Sequence, residues 1–158
     1  MNILVLCTGN SARSILAEVL LNHLGGERLT AHSAGSQPAG KVHPQALSLL
    51  AERGMAIDNL RSKSWDEFAA ENATKLDVVI TVCDSAASET CPYWPGAPVT
   101  AHWGLPDPAA AAPDDQPKAF RTTYARLEAR IAALLAEPFE ALTPPALSAL
   151  LSRIGTAP

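Results

Sequence analysis

A cysteine and an arginine separated by five residues form the most reactive pattern in this sequence. The segment follows the apolar residues 2–6, precedes a helical pattern, and reads Cys7, Thr8, Gly9, Asn10, Ser11, Ala12, Arg13 and Ser14. Small residues let backbone N–H groups converge on an oxyanion, and the following helix N-terminus favours negative charge there. This field favours the reactive thiolate of Cys7, and the planar Arg13 guanidinium can hold two oxygens of a tetrahedral anion. The pattern predicts a nucleophile beside an anion cradle, rather than a buried cysteine that closes a strand.

This segment resembles the low-molecular-weight protein tyrosine phosphatase family and, within it, the arsenate reductases built on the same fold. The resemblance extends from residue 1 to about residue 135, and it rests also on residues 33–35, 82–92 and 101–108. It implies catalysis at a cysteine thiolate. A phosphatase would hydrolyse phosphate monoesters through a phosphocysteine, whereas an arsenate reductase would convert arsenate to arsenite.

Asp107 is a candidate general acid because of its neighbours. It lies between Pro106 and Pro108, which stiffen the backbone and can aim its carboxyl group. In the resembled family, an aspartate before a proline protonates the leaving oxygen, and Asp107 matches that position. Aspartate is also a common turn residue, so a purely structural role is the alternative.

Two further cysteines, Cys83 and Cys91, flank a segment of seven mostly small and polar residues. A disulfide between them requires Cα atoms within about 7 Å, which this segment permits if it bends. A buried core thiol at Cys83, a surface thiol at Cys91, and a zinc site that includes His102 are the alternatives. Zinc is disfavoured because the cysteine spacing is unlike the usual close pair and no fourth ligand is evident.

In the resembled reductases, two cysteines at the places of Cys83 and Cys91 form a thiol relay. The resemblance implies that Cys7 attacks arsenate and that Asp107 assists the departure of water. Cys83 then attacks Cys7 and releases arsenite, and Cys91 moves the disulfide outward by thiol–disulfide exchange. An external thiol must reset the enzyme, with thioredoxin favoured over glutaredoxin or a low-molecular-weight thiol. A phosphatase needs neither Cys83 nor Cys91, so this pair distinguishes the two activities.

Other residues around the cradle have supporting roles. Ser14 can donate a hydrogen bond to the Cys7 thiolate. Positions that bind potassium in some related reductases match Asn10, Glu18 and Ser33. The further aspartate of that site falls near Ser64, so the resemblance does not extend to a prediction of potassium binding. We expect no metal site and no bound cofactor.

Composition limits the classes of partner. The chain has 158 residues, 47% of them hydrophobic and 18% charged, which indicates one soluble globular core. No run of about 18 apolar residues and no export signal is evident, so we expect no membrane association. A net charge of −4 without a basic stripe argues against nucleic acid but says little about a small anion, because the cradle acts locally. The resemblance implies arsenate or phosphate as the oxyanion ligand. Three cysteines in such a chain favour the reducing cytoplasm and transient catalytic disulfides.

Apolar runs that alternate with helical patterns predict the fold. We expect strands at residues 2–6, 29–33, 77–82 and 99–102. We expect helices that begin near residue 14 and at residues 44–53, 65–72 and 117–136. This alternation predicts an α/β fold with a doubly wound, four-stranded parallel sheet flanked by helices. Ligands bind at the carboxyl ends of such strands, so Cys7 and Cys83, which each follow a strand, are expected at one edge.

The sequence divides into a catalytic domain at residues 1–137 and a tail at residues 138–158. Prolines interrupt the tail, and a short helix is expected at residues 146–154.

The leading hypothesis is a cytoplasmic arsenate reductase, and the second is a phosphatase in which Cys83 and Cys91 give redox protection. The resembled phosphatases often carry an aromatic residue where residues 109–112 are alanines, which weakens the phosphotyrosine hypothesis. A non-catalytic oxyanion or redox sensor is the third hypothesis.

Overall fold

A parallel β-sheet forms the centre of the structure, a computed structural model that describes residues 1–70, 72–84, 86, 94 and 98–157. Its strands are β1 (Asn2–Cys7), β2 (Thr30–Gly35), β3 (Val78–Thr81) and β4 (Val99–His102). Their order across the sheet is β2-β1-β3-β4, and every pairing is parallel. The predicted doubly wound, four-stranded α/β fold is therefore confirmed. Because β2 and β3 lie on opposite sides of β1, the carboxyl end of β1 is a topological switch point, where such folds bind ligands.

Four α-helices accompany the sheet in the described residues: α1 (Arg13–Gly25), α2 (Pro44–Glu52), α3 (Gln116–Leu135) and α4 (Pro144–Thr156). All four contribute to one core that also contains Ile3, Val5 and Cys7 of β1. Leu4 and Leu6 point to the opposite face, where Phe68 and Trp94 cover them. Side chains alternate between the faces of a strand, and both faces of β1 are buried. This burial explains why β1 is a continuous apolar run instead of an alternating one.

Two predicted helices differ from the structure at their ends. The helix expected at residues 65–72 is a 3-10 helix, Trp65–Phe68, and Ser64 caps it by accepting the Asp66 N–H at 3.1 Å. The final helix begins at Pro144 instead of residue 146. Thr143 caps it, and its two prolines occupy the first turn, where a helix needs no backbone N–H donors.

Residues beyond 137 share the main hydrophobic core. Side chains on one face of α4 are buried, and the Trp103 indole donates a hydrogen bond to the Leu151 carbonyl at 2.9 Å. Arg28 adds a bidentate contact to Glu140, at 2.9 and 2.6 Å. These hydrogen bonds lower the pKa of Glu140 to about 2. The division at residue 137 stays a prediction. No helix in the described part of the chain is both long and apolar enough to cross a membrane.

Candidate functional site

The carboxyl ends of β1 and β3 bring two thiols to one cavity of about 270 Å³. Cys7 ends β1 and Cys83 lies two residues beyond β3, and both are unpaired and buried. The cavity is lined by Cys7, Thr8, Gly9, Ser11, Ala12, Arg13, Cys83, Asp107 and Ala109. Thr8 follows Cys7 in the chain, and its Oγ1 lies 3.6 Å from Cys83 Sγ. The cavity therefore joins the anion cradle to a second sulfur, as expected from strands whose carboxyl ends share an edge.

The loop after β1 is held from its outer side. The carbonyls of Thr8, Gly9 and Ser11 accept backbone N–H bonds at 3.0, 2.9 and 2.9 Å from residues 37, 39 and 43. Peptide C=O and N–H groups point in opposite directions, so these contacts direct N–H groups of the loop toward the cavity. Gly35 at the end of β2 is required here, because a Cβ would collide with the Thr8 carbonyl. The loop thus has the form of an oxyanion cradle.

Hydrogen-bond donors surround the Cys7 sulfur. The Asn10 N–H donates to Sγ at 3.2 Å, which the left-handed φ of 46° at Asn10 permits. The Lys63 N–H can only donate, so its 2.9 Å partner must be Asn10 Oδ1, and Asn10 Nδ2 then donates to Ser14 Oγ at 2.8 Å. Ser14 Oγ lies 3.0 Å from Cys7 Sγ, and it is the donor of this pair whenever Cys7 is a thiolate. Two donors aimed at one sulfur stabilise the thiolate, the form that attacks electrophiles.

Two arginines position the segment that carries Asp107. Arg13 donates to the Leu105 carbonyl at 2.8 Å, and its second nitrogen lies 3.9 Å from Asp107 Oδ2. Arg130 on α3 donates to the neighbouring Gly104 carbonyl at 3.3 Å. Arg130 is buried, and this burial lowers its pKa. Sequence analysis missed Arg130, because an arginine on an amphipathic helix is ordinarily exposed and nothing nearby in sequence marks this one.

Asp107 caps a turn and also lines the cavity. Its Oδ1 accepts the Ala109 N–H at 3.0 Å and caps the 3-10 helix Pro108–Ala110, which is the turn role. Its Oδ2 faces Arg13, and the side chain lines the cavity with Cys7. Because Oδ1 is engaged as an acceptor, a proton carried by this carboxyl group would reside on Oδ2. That oxygen is the one available to a leaving group.

Cys91 lies outside the described residues, so neither its pairing with Cys83 nor a shared zinc site can be placed in the structure. His102 contacts other groups: its Nδ1 is 2.7 Å from Thr81 Oγ1, and its Nε2 is 2.9 Å from Asp84 Oδ1. In the described ranges, no three His, Cys, Asp or Glu side chains are grouped so that they could hold a metal ion. The cavity is lined by Thr8, Gly9, Ser11, Ala12 and Arg13, whereas Asn10 and Ser14 contact the Cys7 sulfur. Oxyanion binding by these seven residues stays a prediction.

A second cluster behind the cradle joins Glu18 on α1 to Ser33 on β2 and to Lys63. Ser33 Oγ donates to Glu18 Oε1 at 3.1 Å, and the Lys63 ammonium lies 3.6 Å from the same oxygen. His32 is adjacent, and burial lowers its pKa although the Glu18 carboxylate opposes the shift. Near neutral pH, Lys63 is therefore the cation that faces Glu18. Sequence analysis did not single out Lys63.

Comparison with known proteins agrees with this geometry. The family model for low molecular weight phosphotyrosine protein phosphatase matches residues 2–143. An arsenate reductase of Halalkalibacterium halodurans is 38% identical over 113 residues, which cover 72% of this chain and 78% of that protein.

Two solved structures share the fold. The crystal structure of an arsenate reductase from Archaeoglobus fulgidus has a TM-score of 0.67 and 30% identity, covering 85% of this chain and 99% of that one. A thioredoxin-dependent arsenate reductase of Corynebacterium glutamicum has a TM-score of 0.63 and 28% identity, covering 85% of this chain and 60% of that one. Because the family model matches residues 2–143, most of its length, this chain belongs to the low molecular weight phosphotyrosine protein phosphatase family.

Proposed function

We propose that this protein is an arsenate reductase that uses Cys7 as its nucleophile. The observation that carries the proposal is the second thiol, Cys83, in the cavity that Cys7 and Arg13 line. Hydrolysis of a phosphate ester needs the nucleophile, the cradle and an acid, but no second thiol. Reduction needs a group that gives up electrons, and a neighbouring thiol supplies them by forming a disulfide.

The first step forms a covalent adduct without any change of oxidation state. Arsenate lies in the cradle, where the Arg13 guanidinium and the loop N–H groups neutralise its charge. The Cys7 thiolate attacks arsenic and forms a sulfur–arsenic bond. The hydroxyl group of hydrogen arsenate leaves as water after it receives one proton from Asp107 Oδ2.

The second step reduces arsenic. Cys83 attacks Cys7 Sγ, so a sulfur–sulfur bond forms while the sulfur–arsenic bond breaks. The electron pair of the broken bond stays on arsenic, which leaves as arsenite, and the two thiols are oxidised to one disulfide. The shared cavity and the 3.6 Å contact between Cys83 Sγ and Thr8 Oγ1 support this role for Cys83.

The third step regenerates Cys7. Cys91 attacks Cys83, which frees the Cys7 thiolate and leaves a Cys83–Cys91 disulfide for an external reductant. We propose a thioredoxin as that reductant, because the similar Corynebacterium glutamicum enzyme is thioredoxin-dependent. Glutaredoxin or a low-molecular-weight thiol is the alternative. A cycle that starts from free thiols requires a reducing compartment, which favours the cytoplasm.

Arsenate-dependent oxidation of NADPH in the presence of thioredoxin and thioredoxin reductase tests this function. We expect sustained NADPH consumption that requires arsenate, this protein and thioredoxin together. Parallel reactions contain glutathione with glutaredoxin, or a nitrophenyl phosphate without any reductant. Ester hydrolysis without arsenate-dependent NADPH oxidation in either thiol system would overturn the reductase proposal in favour of a phosphatase.

Phosphatase activity is the second candidate function, and the position of Asp107 supports it. Asp107, Arg13 and Cys7 line one cavity, which suffices for phosphoryl transfer to a thiolate. The adjoining wall is Ala109, so no aromatic side chain from that position flanks a phenyl ring. We therefore expect hydrolysis of small phosphate monoesters as a residual activity, without selectivity for phosphotyrosine.

Replacement of Asp107 by asparagine should slow hydrolysis most for poor leaving groups. An asparagine cannot supply the proton, so phenyl phosphate hydrolysis should fall by about 10² or more, whereas an activated nitrophenyl ester should lose much less. Steady-state kcat/KM values for both esters provide the measurement. Asp114→Asn, at an exposed position of the neighbouring 3-10 helix, is the matched control and should change neither value. Equal losses for the two esters would identify Asp107 as a turn residue only.

A further inference from the structure

Hydrogen bonds connect the Cys7 loop to a buried ion pair. Asn10 Nδ2 donates to Ser33 Oγ at 3.0 Å, and Ser33 donates onward to Glu18 Oε1 at 3.1 Å. The Lys63 ammonium lies 3.6 Å from that carboxylate oxygen. Only 9% of the Lys63 side chain and 14% of the Glu18 side chain are exposed. Charged groups this far from water are ordinarily paired, because an unpaired one is costly to bury.

Lys63 contacts this network at both ends. Its ammonium faces Glu18, while its backbone N–H donates to Asn10 Oδ1 at 2.9 Å. The Asn10 amide is thereby fixed with Nδ2 toward Ser14 and Ser33, both of which are fully buried. Lys63, Glu18, Ser33 and Asn10 therefore form a ring of contacts next to the Cys7 loop. The largely buried Glu18 carboxylate is the anion of this ring.

We infer that the Lys63 ammonium is the built-in cation of the Glu18–Ser33–Asn10 cluster. It neutralises the Glu18 carboxylate, so the cluster can hold Asn10 and the Cys7 loop without a cation from solution. Lys63 is a positioning residue, because it acts on Cys7 only through Asn10 and Ser14. Asn10, Glu18 and Ser33 are the positions matched above to potassium ligands in some related reductases. Those residues do not fit an added cation here, because a second positive charge would have to share one carboxylate with Lys63.

Removal of the Lys63 ammonium should make the stability of the protein depend on a monovalent cation. In Lys63→Met, the aliphatic stem remains but Glu18 becomes an unpaired buried carboxylate, so we expect a melting temperature about 5–10 °C lower. Titration with KCl, against choline chloride at equal ionic strength, should restore much of that loss with saturation. The unchanged protein should melt at the same temperature in both salts.

The rate of Cys7 alkylation reports on the loop itself. We expect iodoacetamide to modify Cys7 about tenfold more slowly in Lys63→Met, because the unpaired Glu18 carboxylate no longer holds Ser33 in place against Asn10, although the N–H of residue 63 remains. Potassium, and the charge-conserving variant Lys63→Arg, should each restore the rate. Peptide mass spectrometry assigns the modified cysteine. Lys75→Met removes an exposed lysine near the amino end of β1, at the opposite edge of the sheet, and serves as the control.

The double variant Glu18→Gln/Lys63→Met separates charge neutralisation from packing. It leaves no unpaired buried charge, so it should fold even if the single variant does not. We expect its Cys7 alkylation rate to lie within about twofold of the unchanged protein, without a response to potassium. The melting temperature and the alkylation rate are measured without arsenate. They therefore test this inference independently of the proposed reductase activity.

Three results would overturn the inference. The first is a potassium-specific rise in the melting temperature of the unchanged protein, which would mean that the site takes an ion despite Lys63. The second is a Lys63→Met protein that is alkylated at the original rate and does not respond to potassium. The third is a double variant that is alkylated about tenfold more slowly than the unchanged protein, which would show that Lys63 does not act through Glu18.

Discussion

Cys7→Ser should abolish arsenate reduction and phosphate ester hydrolysis together while the fold persists. Sγ is buried at the end of β1, and a serine hydroxyl fits the same space and the same two donors from Asn10 and Ser14. The hydroxyl stays protonated near neutral pH and is a far weaker nucleophile than a thiolate. We expect both activities to fall by at least about 10⁴, as when the nucleophile of a hydrolase is removed.

The measurement combines both assays with thermal unfolding of the same preparation. Cys83→Ser is the matched control, because it makes the same chemical change at the other buried thiol of the cavity. That variant should keep ester hydrolysis, which needs Cys7, Arg13 and Asp107 only. A folded Cys7→Ser protein with near-normal turnover of either substrate would exclude Cys7 as the nucleophile.

The sheet and the cradle could be predicted because each depends on local sequence. A continuous apolar strand, a loop of small residues and a helix are read from neighbouring positions. Parallel pairing then places Cys7 and Cys83 at one edge without any knowledge of side-chain contacts. The structure adds the reason for Gly35, whose missing Cβ allows β2 to end against the loop.

The residues that support the site could not be predicted in the same way. Arg130 and Lys63 are charged residues whose burial depends on segments distant in sequence. Arg130 reaches Gly104, 26 positions away, and the Lys63 N–H reaches Asn10, 53 positions away. Patterns of hydrophobicity assign such residues to the surface by default. Only the tertiary structure shows that Arg130 holds the Gly104 carbonyl and that Lys63 holds the Asn10 side-chain amide, both next to the candidate site.

Loss of either relay cysteine should stop turnover at a different intermediate. Cys91→Ser should release arsenite once and then trap a Cys7–Cys83 disulfide, because no thiol remains to attack Cys83. Cys83→Ser should stall earlier, at the Cys7–arsenic adduct, and release no arsenite. Both variants should keep ester hydrolysis, because the nucleophile, the cradle and Asp107 are unchanged.

Single-turnover arsenite release under thioredoxin, with mass spectrometry of the trapped species, distinguishes these intermediates. We expect Cys83 to make the first disulfide, because it shares a cavity with Cys7 and its Sγ lies 3.6 Å from Thr8 Oγ1. Reversed phenotypes, with single release in Cys83→Ser and none in Cys91→Ser, would assign the first attack to Cys91. Sustained multiple turnover by both variants would exclude the relay altogether. Because ester hydrolysis bypasses the relay, its survival in both variants would show that the losses concern electron transfer and not the cradle.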